Sequence, residues 1–104
     1  MDKDFKKLIT FYIGTLDKDT HRREKEISVF KKELDKTFDG YTLSACHGIY
    51  RHKDGTMVNE LSLRVEYIDY SNTLDTKKTC DKFKKLFNQE CIMVTIQELQ
   101  VDFI

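Results

Sequence analysis

The stretch of sequence that decides the fold is YTLSACHGIYRHKDGTMVNELSLRVEYI, residues 41–68. Apolar and polar side chains alternate along both of its halves, a pattern typical of half-buried β-strands. Lys53-Asp54-Gly55 interrupts the alternation. We expect these three residues to form a hairpin loop, with Gly55 in the left-handed conformation, between strands at Tyr41–His52 and Met57–Ile68.

The apolar side chains of the two strands set the register of this hairpin. Leu43 and Ile49 share a buried face with Leu61 and Leu63 only if the loop holds an odd number of residues, because side chains alternate between the two faces of a sheet. The predicted cross-strand pairs are Ala45 with Leu63 and His47 with Leu61 on the buried face, and Ser44 with Arg64 and Gly48 with Glu60 on the open face.

The chain before the hairpin predicts a strand and a helix. Lys6–Thr15 alternates β-branched and aromatic residues and is followed by a polar break. Asp19 or Thr20 is placed to cap a helix whose apolar positions recur every three or four residues. Those positions are Ile27, Phe30, Leu34 and Phe38. Asp39-Gly40 is expected to end the helix, since glycine adopts the left-handed conformation that closes a last turn.

The chain after the hairpin predicts a second helix and a final strand. The helix is expected at Thr73–Asn88, where apolar residues form one stripe. From Glu90 onward the sequence is typical of a strand, but the spacing of its apolar residues changes after Ile96. We therefore expect either a bulge near Gln97 or Glu98, or two short strands that bury opposite faces.

These elements predict an α+β fold of the ferredoxin-like kind, βαββαβ, with a four-stranded antiparallel sheet and two helices on one of its faces. We expect residues 1–104 to form one such domain, since 104 residues with 39% hydrophobic side chains supply one core. The other sheet face is then left open. Open faces of this kind often dimerise or bind ligands.

Composition argues against several classes of function. The 18 basic and 18 acidic residues cancel, so no overall charge attracts the chain to nucleic acid or to an anionic membrane. No apolar stretch is long enough for a signal peptide or a membrane span, so the expected location is the cytoplasm, without a membrane partner. The three cysteines lack the spacing of a zinc site, and no cofactor motif is present. We expect neither a metal nor a cofactor.

The chain contains the segments FYIGTLDKDT, DGYTLSACHGIYRHKDGTMVNE and FNQECIMV. Together these segments resemble a family of small bacterial and phage proteins of unknown function. The positions that correspond to the family's pattern are Gly14, Gly48, Tyr50, Glu60, Gln89 and Glu90. The resemblance implies a ferredoxin-like fold and no particular activity, and the lack of an export signal brings the chain closer to the phage members. Phage proteins of this size are frequently antagonists of host defence, which would place the chain in the host cytoplasm.

Three charged or titratable residues of the hairpin are candidates for a binding site. His47 lies on the predicted apolar face, which favours a hydrogen-bonded core histidine over a general base. Glu60 and Glu66, with Arg64 between them, stand in one row along the open face. Cross-strand charge pairing or a dimer contact explains that row more simply than acid–base chemistry.

Four further candidates lie outside that row. Tyr12 and Tyr50 on the open face could stack a nucleic-acid base, but the sequence pattern of an RNA-binding sheet is missing, so we expect no nucleic-acid partner. A basic surface around both rings, with binding that weakens at high salt, would support RNA binding instead. Gln89 and Glu90 lie where the second helix leads into the final strand. A chain reversal with a side-chain hydrogen bond to a loop is the simpler explanation for them.

Taken together, the sequence favours a binding protein without catalysis. The first hypothesis is a homodimeric, phage-type antagonist of host defence that captures a host protein or a small anionic ligand, such as a nucleotide messenger, through its open sheet face or edge. The alternative is a small cytosolic enzyme of the dimeric ferredoxin-like kind. Its site would lie around His47, Tyr50, Glu60 and Arg64. An accessible His47 in a cleft beside Glu60 would favour the enzyme, and a buried His47 under a flat sheet would favour the binding protein.

Overall fold

The computed structural model describes residues 5–104 and confirms the ferredoxin-like α+β fold. Its elements are β1 Phe5–Gly14, α1 Ile27–Thr37, β2 Thr42–Arg51, β3 Met57–Asp69, α2 Thr76–Leu86 and β4 Met93–Gln100. The strands form one antiparallel sheet in the order β2-β3-β1-β4. Each of these two helices has 11 residues, and no helix in the described part of the chain is long and apolar enough to cross a membrane.

The core lies between the two helices and one face of the central strands. The strand residues in it are Ile9, Phe11, Ile13, Leu63 and Val65. All occupy alternate positions on β1 or β3, so they share one face of the sheet. The Phe11 ring lies 5.7 Å from the ring of Phe38 and 6.0 Å, edge-on, from the ring of Phe83 on α2. Burial of these rings holds the helices on this face and leaves the opposite face open.

The hairpin has the register that the sequence predicts. Gly48 pairs with Glu60, and the other predicted pairs occur in the same ladder. Gly55 has a φ angle of 91°. The loop is closed by a hydrogen bond of 2.7 Å from the His52 N–H to the Thr56 carbonyl and one of 2.9 Å from the Gly55 N–H to the His52 carbonyl. A residue without a Cβ adopts this conformation at low steric cost.

The predicted burial of the hairpin's apolar face is wrong for the second half of β2. Ala45, His47 and Ile49 are all exposed there, and Ile49 has 64% of its surface accessible. β2 is an edge strand, whereas the buried core is built on the central strands β1 and β3. His47 is therefore not the core histidine that strand alternation predicts.

The start of α1 differs from the prediction because of a competing turn. Glu26, rather than Asp19 or Thr20, occupies the N-cap position, and its side chain makes no capping hydrogen bond. The Asp17 Oδ1 atom accepts hydrogen bonds from the backbone N–H groups of both predicted caps, at 2.8 and 3.1 Å. Aspartate side chains commonly close turns of this kind, and here the turn delays the helix.

Three other boundaries also differ from the prediction. α1 ends before Phe38, whose extended backbone carries its ring into the core, so Gly40 closes no left-handed turn. α2 begins later than predicted, where the Asp75 side chain caps it. β4 keeps a single register with β1 over Met93–Gln100, so no bulge is present there. The change in apolar spacing arises because Leu99 lies on the open face.

Candidate functional site

A pocket of ≈650 Å³ lies on the open face, at the end of the sheet where β1 and β2 finish and β3 and β4 begin. Antiparallel pairing brings these four strand ends together, and the loops after β1 and α2 add further walls. Open-face residues that line it include Tyr12, Gly14, Gly48, Tyr50, Glu60 and Ser62. Its volume lies in the range of about 300–1,000 Å³ that is typical of small-molecule sites.

Glu60 places a buried negative charge in this pocket. Only 6% of its surface is accessible. Its Oε2 atom accepts a hydrogen bond of 3.0 Å from the backbone N–H of Leu16, in the loop after β1. This bond offsets part of the cost of removing a carboxylate from water. Within residues 5–104 Glu60 forms no ion pair, so its charge is not balanced by a protein cation.

Two glycines allow polar side chains to lie directly against the sheet. A Cβ atom at Gly14 would be 2.7 Å from Glu60 Oε1 and 2.8 Å from Gln89 Oε1. A Cβ atom at Gly48 would be 2.7 Å from Ser62 Oγ. These distances are shorter than van der Waals contact. A larger residue at either position would therefore displace the carboxylate and amide, or the hydroxyl, from its place over the backbone.

Neighbouring amide side chains fix the loop after β1 to the corner after α2. Gln89, with 9% of its surface accessible, donates from Nε2 to the Leu16 carbonyl at 2.7 Å. Asn88 donates from Nδ2 to Asp17 Oδ2 at 2.9 Å. That hydrogen bond is the largest cause that lowers the pKa of the Asp17 carboxyl. Because the Leu16 peptide also holds the buried carboxylate, these contacts support the anchor of Glu60.

Two tyrosines stand on the strands at either side of β3. Tyr12 on β1 and Tyr50 on β2 both line the pocket. Burial raises the pKa of the Tyr50 hydroxyl, and the charge of Glu60 raises it further. The Tyr50 hydroxyl can donate a hydrogen bond close to the carboxylate.

His47 borders the pocket but lies on the opposite face of the sheet from Glu60. Its side chain is exposed, and it pairs with Leu61 across the hairpin. Strand alternation therefore directs it to the helix side of the sheet, whereas Glu60 lies on the open side. Its accessibility, together with an open face that is concave rather than flat, favours the enzyme hypothesis. Its orientation does not favour a general base that acts beside Glu60.

Arg64 and Glu90 are placed differently from the buried carboxylate. Arg64 lies outside the pocket, where its Nε donates to Ser44 Oγ at 3.1 Å and is 3.7 Å from Glu66 Oε1. Glu90 lies at the rim and forms an ion pair of 3.6 Å with Lys53. Exposed pairs of this kind contribute little to stability, typically about 0–1 kcal/mol.

The loop side of the pocket is the part that the sequence prediction missed. Leu16, Asp17 and His21 line it. Asn88, 71 positions after Asp17, holds this loop by a hydrogen bond to the Asp17 side chain. His21 and Asn88 have positive φ angles of 59° and 47°. No periodic pattern marks contacts of this kind. The segments FYIGTLDKDT and FNQECIMV, which contain three of these residues, were the signal that could have located them.

The donor set suits an organic ligand better than a metal. Across residues 5–104, no group of three or more His, Cys, Asp or Glu side chains is arranged to hold a metal ion. The pocket instead offers one buried carboxylate, one buried amide and two phenols within a mainly apolar lining. These groups can bind a cation that carries a flat ring.

Two solved structures share this fold over nearly the whole chain. The chain is similar to a phage SAM lyase in complex with S-methyl-5'-thioadenosine, with a TM-score of 0.63 and 17% identity over 95% of this chain and 92% of that chain. It is also similar to a phage SAM lyase in the apo state, with a TM-score of 0.63 and 16% identity over 97% of this chain and 94% of that chain. At this level of identity the likeness shows the fold. No protein-family model and no curated protein matches the chain.

These comparisons contradict the hypothesis of a non-enzymatic binding protein. Both of these similar structures are of an enzyme, which agrees better with the alternative, a small enzyme. The sequence hypothesis was wrong because it relied on the absence of a catalytic motif, whereas this pocket is built from a single carboxylate, glycines and loop contacts. The predicted homodimer and the resemblance to a family of unknown function stay predictions.

Proposed function

We propose that this protein is a lyase that cleaves S-adenosylmethionine and releases S-methyl-5'-thioadenosine. Glu60 is the observation that carries the proposal, because a buried carboxylate with no cationic partner in the described chain is suited to a cationic ligand. S-Adenosylmethionine is such a ligand, since its sulfonium sulfur carries a positive charge. The similarity to phage SAM lyase over 95% of the chain supports the same substrate.

The shape of the pocket supports a substrate of this size and polarity. Its ≈650 Å³ can hold a nucleoside with an amino-acid side arm. Gly14 and Gly48 remove side-chain bulk where the polar groups lie closest to the sheet. Tyr12 and Tyr50 offer ring surfaces on either side of β3. A cation can therefore approach Glu60 while the apolar parts of the ligand contact aromatic side chains.

The proposed reaction breaks the bond between the sulfonium sulfur and the γ-carbon of the methionine part. The electron pair of that bond passes to sulfur, which becomes the neutral thioether of S-methyl-5'-thioadenosine. In one route the β-carbon releases a proton to solvent, and the electrons of that C–H bond form a double bond between the β- and γ-carbons. In the other route an oxygen of the fragment's own carboxylate bonds to the γ-carbon and closes a lactone. Charge on sulfur disappears in this step, so a site that excludes water favours it.

In this mechanism the residues of the pocket mainly bind and orient the substrate. Glu60 attracts the sulfonium and holds it against the sheet. The Leu16 N–H fixes the carboxylate, and Gln89 holds the Leu16 peptide. Orientation of this kind raises the rate, because it fixes the substrate in a reactive conformation before the bond breaks.

The direct test is to incubate the purified protein with S-adenosylmethionine and to identify the products by liquid chromatography and mass spectrometry. We expect S-methyl-5'-thioadenosine together with one four-carbon product in equal amounts. S-Adenosylhomocysteine is the matched control substrate, because it lacks only the S-methyl group and so has a neutral sulfur, and it should not be cleaved. Formation of S-methyl-5'-thioadenosine no faster than in buffer would contradict the proposal.

A further inference from the structure

We infer that three aromatic rings at the rim of the pocket bind the adenine base of the substrate. This inference rests on the function proposed above. The rings, called here the aromatic wall, are those of His21, His52 and Tyr50, and all three residues line the pocket. The rings of His21 and His52 are stacked, with centroids 5.5 Å apart and planes at 19°. The ring of Tyr50 lies 5.8 Å from that of His52.

The aromatic wall lies where the adenine end of the substrate would reach if the sulfonium were bound at Glu60. Tyr50 lies on the open face two residues from Gly48, the cross-strand partner of Glu60, so the wall begins beside the proposed sulfonium site. From there it extends through His52 to His21 at the rim. In S-adenosylmethionine a ribose separates the sulfonium from the base. Purine bases stack favourably on aromatic rings, so a sulfonium at Glu60 directs the adenine toward this wall.

The backbone of His21 indicates that its ring has a role beyond the turn. Its φ angle is 59°, in the left-handed region that costs energy for a residue with a Cβ. The turn is closed by two backbone hydrogen bonds of 2.8 Å, from the His21 N–H to the Asp17 carbonyl and from the Asp17 N–H to the Arg22 carbonyl. Glycine, which has no Cβ, would form the same turn at lower cost. The turn alone therefore does not require an imidazole.

Both turns that carry the imidazoles are anchored. The His21 turn is held by the Asn88 side chain on Asp17 and by a hydrogen bond of 3.0 Å from the Lys18 N–H to the Asn88 carbonyl. The His52 turn is closed by its own loop hydrogen bonds. The aromatic wall is thus in place before a ligand arrives, which lowers the entropic cost of binding.

The test compares His21→Asn with the unchanged protein in titration calorimetry with S-methyl-5'-thioadenosine. Asparagine tolerates the left-handed backbone but removes the ring. We expect about tenfold weaker binding or a larger loss, from the stacking of one base, with an unfolding temperature that is unchanged or higher. His21→Phe keeps a ring and should restore most of the affinity. Asn72→Gly is the matched control, because Asn72 also has a positive φ of 56° but does not line the pocket.

A second ligand separates loss of the base contact from general damage to the pocket. S-Methylmethionine carries the sulfonium and the amino-acid part without adenosine, so its inhibition of turnover should not change in His21→Asn. If both ligands weaken equally, or if His21→Asn binds S-methyl-5'-thioadenosine as tightly as the unchanged protein, the inference is wrong. If His21→Asn unfolds more easily, His52→Ala tests the same stack from the hairpin. Failure of the unchanged protein to cleave S-adenosylmethionine overturns the proposed function instead.

Discussion

The two ends of the open sheet face each carry a glutamate, and the two glutamates differ in burial and in their partners. Glu60 and Glu66 lie on the same face of β3. Glu60 is buried, is held by a backbone N–H and has no ion pair within the described residues, whereas Glu66 is more exposed and lies 3.7 Å from Arg64. The difference comes from the loops after β1 and α2, which cover only one end of the face. Burial by these loops, rather than residue type or strand position, makes one carboxylate suited to a ligand.

The largest effect is expected from Glu60→Gln compared with Glu66→Gln. Glutamine can still accept the hydrogen bond from Leu16 but has no charge for the sulfonium. Loss of one partner of a buried ion pair costs about 3–5 kcal/mol, so kcat/KM for S-adenosylmethionine should fall roughly 150-fold to 5,000-fold. Glu66→Gln should change it less than about threefold, because an exposed pair contributes little.

Initial rates of S-methyl-5'-thioadenosine formation over a range of substrate concentrations measure both variants. Equal losses in the two variants, with unchanged unfolding temperatures, would show that the ends of the face do not differ in the way proposed.

The next largest effect is expected from Gly14→Ala, which adds a side chain to the backbone beneath the Glu60 carboxylate. Gly40→Ala is its control. The new Cβ at Gly14 would be 2.7 Å from Glu60 Oε1, so the carboxylate must shift, while a Cβ at Gly40 meets nothing within 4 Å. We expect Gly14→Ala to lower kcat/KM about tenfold or more and to destabilise the fold by about 1–3 kcal/mol.

Gly40→Ala should be neutral or slightly stabilising, because Gly40 has no positive φ and alanine restricts the unfolded chain. Urea unfolding and the same kinetic assay measure both variants. An unchanged kcat/KM in Gly14→Ala would mean that the position of Glu60 does not matter for turnover.

The same comparison explains which parts of the structure the sequence predicted. The pairing of Gly48 with Glu60 was predictable, because side-chain alternation and the loop at Gly55 leave one register that buries Leu61 and Leu63. These are local rules. They place Glu60 on the open face, but they do not say which end of that face is covered.

The covered end depends on contacts that no local rule describes. Asn88 meets Asp17 across 71 positions, and both amides of the corner after α2 act on the loop after β1. The exposure of Ile49 likewise depends on strand order, since an edge strand and a central strand can have the same alternation. Residue types at a site can thus be predicted from alternation, whereas burial of the site depends on how distant loops pack.

The smallest expected effect concerns the tyrosine–carboxylate pair outside the pocket, compared with the pair at the pocket. Tyr50 lies near Glu60 at the pocket, and Tyr41 donates a hydrogen bond of 2.5 Å to Asp35 Oδ1 outside it. Burial, followed by this hydrogen bond, raises the pKa of Tyr41 from 10.0 to about 12. The unfolded chain therefore releases this proton first as the pH rises. The contribution of Tyr41 to stability is complete below pH 10.0 and is lost as the pH increases to about 12.

Tyr41→Phe should consequently lose less stability than the unchanged protein when the pH is raised through this window, because phenylalanine has no proton to release. Urea unfolding at a series of alkaline pH values measures the difference between the two proteins, which cancels the contributions of the other tyrosines. Tyr41 does not line the pocket, so kcat/KM at neutral pH should stay the same. Parallel stability curves for the two proteins would show that the hydrogen bond to Asp35 does not hold the Tyr41 proton in solution.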